Sequence, residues 1–343
     1  MLQQFKDILE ILSEGRDLSN EEAHFALDKI VCGEVSNEEA AAFLFGMRQK
    51  GETPGELTEF VKVMRKAAVP VNVRTEGAID LCGTGGDRSG TFNISTAAMF
   101  VVAGTGIPVL KHGNRSVSSK CGSADVLETL GVVVDLEKKG VEDTFTETGL
   151  AFMFAPNFHP AMKYIMPARK ALKIRTFFNI LGPLLNPASV RRQVIGAYDI
   201  GIARTMMRIL RNLDTKKAFT LNAQDGLDEV SLSSKTELFE LDEAEDFNSS
   251  EFDPRHFGFD LVDVKQLMGG DKDKNAEIIR SVLNSTSTDA QRDIVLLNAA
   301  FGIRVSGKTD SMEEAISLAR ESIESGAARN KLHRFAEATQ DMK

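Results

Sequence analysis

The hydrophobic pattern of the chain changes near residue 77, and this change divides the chain into two regions. Before it, apolar residues recur at helical spacing; after it, short apolar runs alternate with helical segments. Such alternation is typical of a parallel sheet covered by helices. The sequence therefore predicts an α/β fold with a small N-terminal α-helical domain, residues 1–72, and a large α/β domain, residues 73–343. The large domain is expected to hold a central, mostly parallel (mixed) β-sheet flanked by helices.

The N-terminal region carries strong helix start and stop signals. The first apolar stripe ends at Gly15, and capping boxes at 19–22, 36–39 and 53–56 open three further helices, the last of which ends before Pro70. The apolar stripes of these helices favour packing within a bundle over a ligand site. A small bundle that leaves one stripe uncovered also offers a surface for dimerisation.

The second region is a series of predicted strands and helices. Short apolar runs predict strands at 79–82, 108–110, 132–134, 152–154, 194–197 and 218–221. Helical periodicity predicts helices at 93–102, 123–130, 141–148, 202–213, 275–283, 289–301 and 311–325. The acidic stretch 232–264 is less regular and is expected to contain antiparallel strands. Ligands are expected at the carboxyl ends of the parallel strands.

The first predicted strand leads into a glycine-rich corner at 83–87. Gly83, Gly85 and Gly86 allow the main chain to bend and approach a ligand closely. Segment 93–96 then places amide and hydroxyl groups at the start of the next helix, where an anion is favoured. The spacing does not match a dinucleotide fingerprint. A phosphate site is predicted, with a plain tight turn as the alternative and an N-cap role open for Ser95.

The second corner, 111–123, follows the next strand and combines cations with small donors. Lys111, Arg115 and Lys120 are interleaved with asparagine and serine side chains beside glycines. Such a set suits several phosphate oxygens better than bulk water, so a phosphate-binding loop is predicted over a solvated loop. Cys121 is expected to be a small buried filler and not a nucleophile.

The net charge of −9 restricts the partners of the chain. General nucleic-acid-binding proteins usually carry a basic face, so no nucleic-acid partner is expected. Carboxylates near a polyphosphate repel it unless a divalent cation lies between them, so the sequence should supply ligands for Mg²⁺. Asp228 and Glu229, just beyond the strand predicted at 218–221, are the candidates, and an ordinary acidic turn is the alternative.

The apolar runs and the cysteines bear on the compartment. The longest apolar runs are too short and too polar to span a bilayer, and the N-terminus lacks a signal-peptide pattern, so no membrane association is expected. The three cysteines, Cys32, Cys82 and Cys121, are too scattered for a disulfide framework or a zinc site. A cytoplasmic location is predicted.

Residues 302–309 match the spacing of a nucleotide-binding P-loop. They follow a long segment with helical periodicity, whereas a P-loop follows a short buried strand. A helix end and a loop are therefore predicted there instead of a nucleotide site.

Several motifs occur together in the order found in one enzyme family. They are the segments 83–87, 93–96, 111–115 with its following serines, 154–159, Arg169 before 176–183, and 228–229. With these motifs the chain resembles the anthranilate phosphoribosyltransferases of tryptophan biosynthesis, from the N-terminal helices to 325–330. The resemblance implies transfer of phosphoribose from 5-phosphoribosyl 1-diphosphate to the amino group of anthranilate, with release of diphosphate. No covalent enzyme intermediate is expected, because the candidate nucleophiles are better explained as hydrogen-bond donors. The resemblance also implies a homodimer through the helical domain, onto which 165–188 packs.

The resemblance assigns roles to individual residues. The residues expected to bind the phosphoribosyl donor are Gly83, Gly86, Asp87, Thr91, Asn93, Ile94, Ser95, Thr96, Lys111, His112, Gly113, Asn114, Arg115, Ser116, Val117, Ser118, Ser119 and Ser123. Two Mg²⁺ ions are expected on Ser95, Asp228 and Glu229, and anthranilate is expected beside Gly83, Asn114, His159 and Arg169. Arg169 supplies the cation that an aromatic carboxylate needs, whereas His159 has a purely structural role as its alternative. One departure is Lys173, where many relatives have glycine.

Two other functions remain open at this point. A pyrimidine nucleoside phosphorylase is expected to share the architecture, although its relatives carry a different glycine-rich sequence at the second corner. A non-catalytic nucleic-acid-binding paralogue could retain the fold, but the net charge and the intact Asp228–Glu229 pair count against it. Phosphorolysis of thymidine or uridine, or salt-sensitive DNA binding, would identify these alternatives.

Overall fold

The computed structural model of the protein describes residues 4–87, 89–116, 120–243 and 246–342. The N-terminal helices are α1 (Phe5–Ser13), α2 (Asn20–Val31), α3 (Asn37–Lys50) and α4 (Pro54–Lys66). The side chains of Ser19, Ser36 and Thr53 each accept a hydrogen bond from the amide three residues later, and the glutamate at that position bonds back to the cap. The three predicted capping boxes are therefore confirmed.

The remaining elements form the larger α/β domain. Its strands are β1 (Asp80–Gly83), β2 (Val109–Gly113), β3 (Leu150–Phe154), β4 (Arg192–Gly196), β5 (Lys217–Ala223), β6 (Thr236–Asp242) and β7 (Asn248–Phe252). Its helices are α5 (Ile94–Gly104), α6 (Ser123–Thr129), α7 (Lys138–Thr148), α8 (Ala155–Phe158), α9 (Met162–Leu172), α10 (Phe178–Leu181), α11 (Ile200–Arg211), α12 (Lys272–Leu283), α13 (Asp289–Ser306), α14 (Met312–Glu324) and α15 (Ala327–Asp341). Short 3₁₀ turns lie at Gly182–Leu184, Pro254–Phe257 and Val264–Leu267.

The sheet is mixed, as predicted. Strand β4 lies between β1 and β5 in parallel, while β6 and β7 continue the sheet in antiparallel orientation. Strand β2 pairs in parallel with β3, and a bridge between Ile79 and Val109 brings this pair beside β1. The parallel strands of both groups therefore end at the same edge of the sheet, where the predicted corners begin.

Helices cover both faces of the sheet because neighbouring residues on a strand point to opposite sides. On β4, Val194 belongs to the core formed with α5 and α13, whereas Ile195 belongs to the core formed with α11 and the N-terminal helices. Segment 165–188 contributes to the second core. Its Phe177 ring lies 4.6 Å from the Phe60 ring and 6.3 Å from the Phe43 ring, measured between centroids.

In this domain, the structure contradicts one sequence prediction and confirms another. The strand predicted at 132–134 is wrong, because this extended segment pairs with no strand of the described residues: the Val133 amide donates to Thr339 Oγ1 at 3.0 Å, and the Val132 amide to the Leu127 carbonyl at 3.0 Å. The prediction for 302–309 is confirmed, because α13 runs through Gly302 and ends at Gly307 with a φ of 81°.

Among the described residues, no helix is long and apolar enough to cross a membrane.

Candidate active site

The carboxyl ends of β1, β4 and β5 form the floor of a narrow crevice. A methyl group built on Gly83 would place its Cβ 2.4 Å from Asp228 Oδ2, and one built on Gly196 would lie 1.6 Å from the Asp228 carbonyl oxygen. Residues without a side chain are thus required at the ends of β1 and β4, because the connection from β5 to β6 crosses directly above them. This contact brings Asp228 and Glu229 to the first glycine corner.

The carboxylates of Asp228 and Glu229 are held by main-chain amides from the first corner. Asp228 Oδ2 accepts from the Gly85 amide at 2.7 Å, and Glu229 Oε1 accepts from the Ser95 amide at 3.1 Å. Ser95 lies in the first turn of α5, and the positive end of the helix dipole there favours negative charge. The N-cap of α5 is Asn93, so the alternative in which Ser95 is the N-cap is wrong.

The two carboxylates are crowded by a third one. Burial, followed by the charge of Asp87, raises the pKa of Asp228, and burial, followed by the charge of Asp228, raises the pKa of Glu229. Within the residues that the structure describes, no group of three or more acidic, histidine or cysteine side chains forms a ready-made metal cage. Mg²⁺ is usually held by one or two carboxylates together with substrate phosphates, so this donor set fits an ion shared with a diphosphate.

Lys111 lies beneath the crevice. Its side chain is buried, and its ammonium donates to the Leu81 carbonyl and, at 3.3 Å, to Ser95 Oγ. The charge therefore acts on the site from below the α5 N-terminus. The side chains of Ile94 and Thr96 are buried as well, so these two predicted site residues face the core.

Asn93 joins the two corners. Its Nδ2 donates to the Cys121 carbonyl at 3.2 Å, while its Oδ1 is buried and has no partner among the described residues. On the other side of the first corner, Thr91 forms a bridge with Met268, and the Gly269 amide donates to the Gly90 carbonyl at 2.9 Å. The two corners and segment 268–269 therefore form one connected unit.

The second corner is organised by Asp125 of α6. Asp125 Oδ2 accepts from the Gly122 amide at 2.9 Å and from the Ser116 amide at 3.2 Å, and Ser123 Oγ donates to the Asn114 carbonyl at 3.3 Å. A Cβ on Gly113 would lie 2.4 Å from Ser123 Oγ, so this position packs tightly against α6. The predicted residues Val117, Ser118 and Ser119 lie outside the described part of the chain.

Arg115 is engaged by carboxylates. Its guanidinium donates to Asp125 at 3.0 Å and makes two bonds of 2.6 Å with Glu128, which raise the pKa of Arg115. It also lies 5.4 Å from the centroid of the Phe154 ring. Arg115 therefore stabilises the loop against α6 in this conformation, and a ligand contact would compete with Asp125 and Glu128.

Two histidines form a buried pair beside the second corner. His112 Nε2 and His159 Nε2 are 3.2 Å apart, so one ring donates and the other accepts. Burial, with a smaller effect of His159, lowers the pKa of His112 to about 3. Burial lowers the pKa of His159 to about 4, although the main chain at Leu185 has a smaller effect that raises it. Both rings are therefore neutral near pH 7.

Arg169 lies in the last turn of α9 and is half-buried. Its guanidinium is 5.5 Å from the centroid of the Phe178 ring, and no carboxylate of the described chain lies within ion-pair distance of it. Burial lowers the pKa of Arg169, and the group stays charged because its ordinary value is so high. A half-buried cation beside an aromatic ring is suited to an aromatic carboxylate.

Comparison with known proteins decides the family. The model of the glycosyl transferase family helical bundle domain matches residues 6–68, and that of the glycosyl transferase family a/b domain matches residues 75–329. Anthranilate phosphoribosyltransferase from Salinibacter ruber is 50% identical over 340 residues, 98% of this chain and 98% of that protein. The chain belongs to the anthranilate phosphoribosyltransferase family.

Solved structures of anthranilate phosphoribosyltransferases share the fold over almost the whole chain. The Thermus thermophilus enzyme is 35% identical, with a TM-score of 0.91, and the match covers 97% of this chain and 99% of that one. The Saccharomyces cerevisiae enzyme with PRPP and Mg is 27% identical, with a TM-score of 0.89 and 98% of each chain covered. Its complex with 4-fluoroanthranilate is 26% identical, with a TM-score of 0.87, covering 98% of this chain and 99% of that one. The predicted family, fold and transferase class are thereby confirmed.

This member of the anthranilate phosphoribosyltransferase family also has residues at the site that are absent from the predicted set. Arg175 donates to the Gly86 carbonyl at 3.3 Å and lies 4.7 Å from the centroid of the Tyr198 ring, which ties the segment after α9 to the first corner. Asp80 is buried under the site, accepts from Asn186 Nδ2 at 2.8 Å, and has a pKa raised to about 6 by burial. In the sequence, Asp80 is a charged residue at the start of an apolar strand, and this pattern could have indicated a site residue. No comparable sequence pattern marks Arg175.

Proposed function

We propose that this chain transfers the phosphoribosyl group of 5-phosphoribosyl 1-diphosphate to the amino group of anthranilate, giving N-(5-phosphoribosyl)anthranilate and diphosphate. The observation that carries the proposal is the pairing of Asp228 and Glu229 with the amides of Gly85 and Ser95 at the first corner. It joins candidate metal ligands to a loop suited to phosphate, within a family whose yeast member was solved with PRPP and Mg.

The donor is proposed to lie across both corners. The left-handed main chain at Gly85 and Gly86, with φ values of 63° and 81°, and the N-terminus of α5 would face the diphosphate. The second corner, from Gly113 to Ser123, would hold the sugar phosphate. Supporting this division, the Asn93 bond to the Cys121 carbonyl keeps the two corners at a fixed separation.

Two Mg²⁺ ions are proposed to bind with the donor. Asp228, Glu229 and Ser95 are the proposed ligands. Asp87 is a further candidate, because its charge adds to the effect of burial in raising the pKa of Asp228. When bound, Mg²⁺ would offset the charge of the diphosphate and make it a better leaving group. Burial raises the pKa of Glu229, and the charge of Asp228 raises it further. This grouping of buried acidic side chains is the physical reason to expect a cation among them.

Anthranilate is proposed to bind between the second corner and α9, beside Gly83, Asn114, His159 and Arg169. The yeast relative was solved with 4-fluoroanthranilate, an acid of this class. The half-buried guanidinium of Arg169 would pair with the carboxylate, which is worth more at a partly desolvated site. The neutral histidine pair would border the ring without adding a charge that repels Arg169.

The chain's own residues act in this proposal by positioning and electrostatics. Lys111, which donates to Ser95 Oγ, and the positive end of the α5 helix dipole would stabilise the negative charge that grows on the departing diphosphate, while C1 of the ribose becomes positive. The neutral aromatic amine then attacks C1 and needs little help from a base. No covalent intermediate is proposed, because the buried Cys121 and the serines of the corners are better explained as packing and donor groups.

A homodimer through the helical domain and a cytoplasmic location complete the proposal. Phe45 of α3 and Tyr164 of α9 are 53% and 40% exposed, and α3 packs against α9. Exposed rings on neighbouring helices suit an apolar contact between copies. The mass of the protein in solution, measured by light scattering, tests this part.

The experiment that tests the activity follows the fluorescence of anthranilate. Purified protein with 5-phosphoribosyl 1-diphosphate and Mg²⁺ should deplete the fluorescence, and omission of either component should abolish the loss. Folded protein that leaves the fluorescence unchanged would contradict the proposal. Parallel assays of thymidine and uridine phosphorolysis and of DNA binding at two salt concentrations should be negative.

A further inference from the structure

Asn298 occupies a buried position on α13 directly below the carboxylate segment. It is 4% exposed, and it lines the floor of the crevice together with Ser95, Gly196, Asp228 and Glu229. A buried amide must find partners for its donor and its acceptor groups. All of its bonds in the structure are therefore informative about what it supports.

The amide of Asn298 bonds both main-chain groups of a single residue, Val230. Asn298 Oδ1 accepts from the Val230 amide at 2.9 Å, and Asn298 Nδ2 donates to the Val230 carbonyl at 2.9 Å. Nδ2 also donates to the Ile294 carbonyl at 2.9 Å, which fixes the side chain to its own helix. This pair of bonds imitates the pairing of one strand residue with its neighbour, although residue 230 lies outside the strands.

Val230 directly follows Asp228 and Glu229, so these bonds set the position of both carboxylates. The two carboxyl groups are buried close together, and burial, followed by the charge of a neighbouring carboxylate, raises the pKa of each. Such a segment needs support from its surroundings to stay in place. The amides of Gly85 and Ser95 hold the carboxyl ends from above, and Asn298 holds the main chain from below. A metal that requires nearly octahedral geometry depends on such fixed ligands.

We propose that Asn298 is a positioning residue that holds the Asp228–Glu229 segment in the conformation able to bind Mg²⁺ with the phosphoribosyl donor. The inference rests on the proposed function, and it adds a residue of α13 that would act through the main chain of Val230 and not by ligating the metal. Removal of the two bonds to Val230 should weaken the binding of Mg²⁺, while the enzyme remains folded.

The test compares Asn298→Leu with a matched loss of a buried amide elsewhere. Gln193 is 1% exposed at the start of β4 and donates to the Pro183 carbonyl at 2.9 Å, so Gln193→Leu is the control. Asn298→Ala is the milder variant, because it removes the bonds to Val230 without adding charge or bulk, and the space that it leaves can admit water to the main chain of Val230. Binding of Mg²⁺ in the presence of 5-phosphoribosyl 1-diphosphate is measured by calorimetry, and main-chain exchange over 226–231 by hydrogen–deuterium exchange.

Asn298→Leu should raise the Mg²⁺ dissociation constant by about 10-fold or more, which is typical of a lost outer partner of a metal ligand. Exchange over 226–231 should become faster, and turnover should recover at high Mg²⁺ concentration. Gln193→Leu should change none of these. Unchanged Mg²⁺ affinity in folded Asn298→Leu, or a turnover loss that added Mg²⁺ does not restore, would overturn the inference.

If Asn298→Leu does not fold, Asn298→Ala decides the question: a weaker Mg²⁺ affinity supports the inference, and an unchanged one overturns it. The wild-type enzyme separates the two levels of proposal. Failure of the wild type to consume anthranilate contradicts the proposed function, whereas failure of the positioning role appears only as a difference between variants.

Discussion

The carboxylate of Asp228 accepts a hydrogen bond of 2.7 Å from the main-chain amide of Gly85, although 143 residues separate the two in the chain. Gly85 has a φ of 63°, a left-handed conformation that suits glycine. The bond makes the glycine corner and the acidic segment a single unit. A change at either residue should therefore alter metal binding and donor binding together.

Asp228→Asn combined with Glu229→Gln should abolish turnover, by at least about 100-fold. The amide side chains keep the size of the originals but remove the charge that would hold Mg²⁺ beside the diphosphate. Steady-state depletion of anthranilate fluorescence over a range of Mg²⁺ concentrations checks this.

The matched control for this double variant is Asp260→Asn, which removes an exposed carboxylate just beyond Phe259. It should leave turnover unchanged. Near-wild-type activity of the double variant at saturating Mg²⁺ would refute the metal assignment.

Arg169→Ala should raise the Michaelis constant for anthranilate by about 10-fold or more and that for 5-phosphoribosyl 1-diphosphate far less. The half-buried guanidinium beside Phe178 has no carboxylate partner in the described chain, so its charge is available to the acid. Lys170→Ala removes an exposed cation from the same helix and should affect neither constant. Equal increases for both substrates would instead indicate that Arg169 has a general structural role.

The features that depend on residues close in sequence could be predicted. The capping boxes at Ser19, Ser36 and Thr53 involve partners three residues apart, and the glycines after β1 mark a turn by their composition. Helix α15 is absent from the predicted helices, although Leu332, Phe335 and Thr339 are buried at helical spacing within it. Its mostly polar composition conceals a narrow apolar stripe.

The features that depend on distant segments could not be predicted. Asn298 reaches Val230 across 68 residues and Arg175 reaches Gly86 across 89, and no local pattern encodes such contacts. The apolar run at 132–134 is typical of a strand, but burial alone does not supply a neighbouring strand to pair with. The residues next to Arg115 in the sequence indicate a phosphate-binding residue, but in the structure Arg115 forms ion pairs with Asp125 and Glu128 of α6.

The histidine pair should make the protein less stable in mild acid. The pKa values of His112 and His159 lie near 3 and 4 in the folded state, below the ordinary 6.5. The unfolded chain therefore binds more protons between about pH 6.5 and 4, so stability falls as the pH decreases through this range. The loss at pH 5 relative to pH 7 should be on the order of 2 kcal/mol for each histidine, measured by urea unfolding.

A double variant, His112→Gln with His159→Gln, isolates this effect from the acidic groups. Asp80, Asp228 and Glu229 have raised pKa values and act in the opposite direction, because the folded state binds their protons more tightly. The variant should lose less stability than the wild type between pH 7 and 5. An identical loss in both proteins would show that these histidines do not titrate on unfolding.

Lys173→Gly should raise the free energy of unfolding, by up to about 1 kcal/mol. Lys173 ends α9 with φ 53° and ψ 27°, a left-handed conformation in which a side chain is strained and glycine is not. Its exposed side chain makes no hydrogen bond or ion pair in the described chain, so its removal costs little. Lys170→Gly, inside the same helix, should instead destabilise by about 1 kcal/mol. Thermal and urea unfolding of the two variants should therefore shift in opposite directions; a destabilised Lys173→Gly would mean that this lysine makes a contact worth more than the strain.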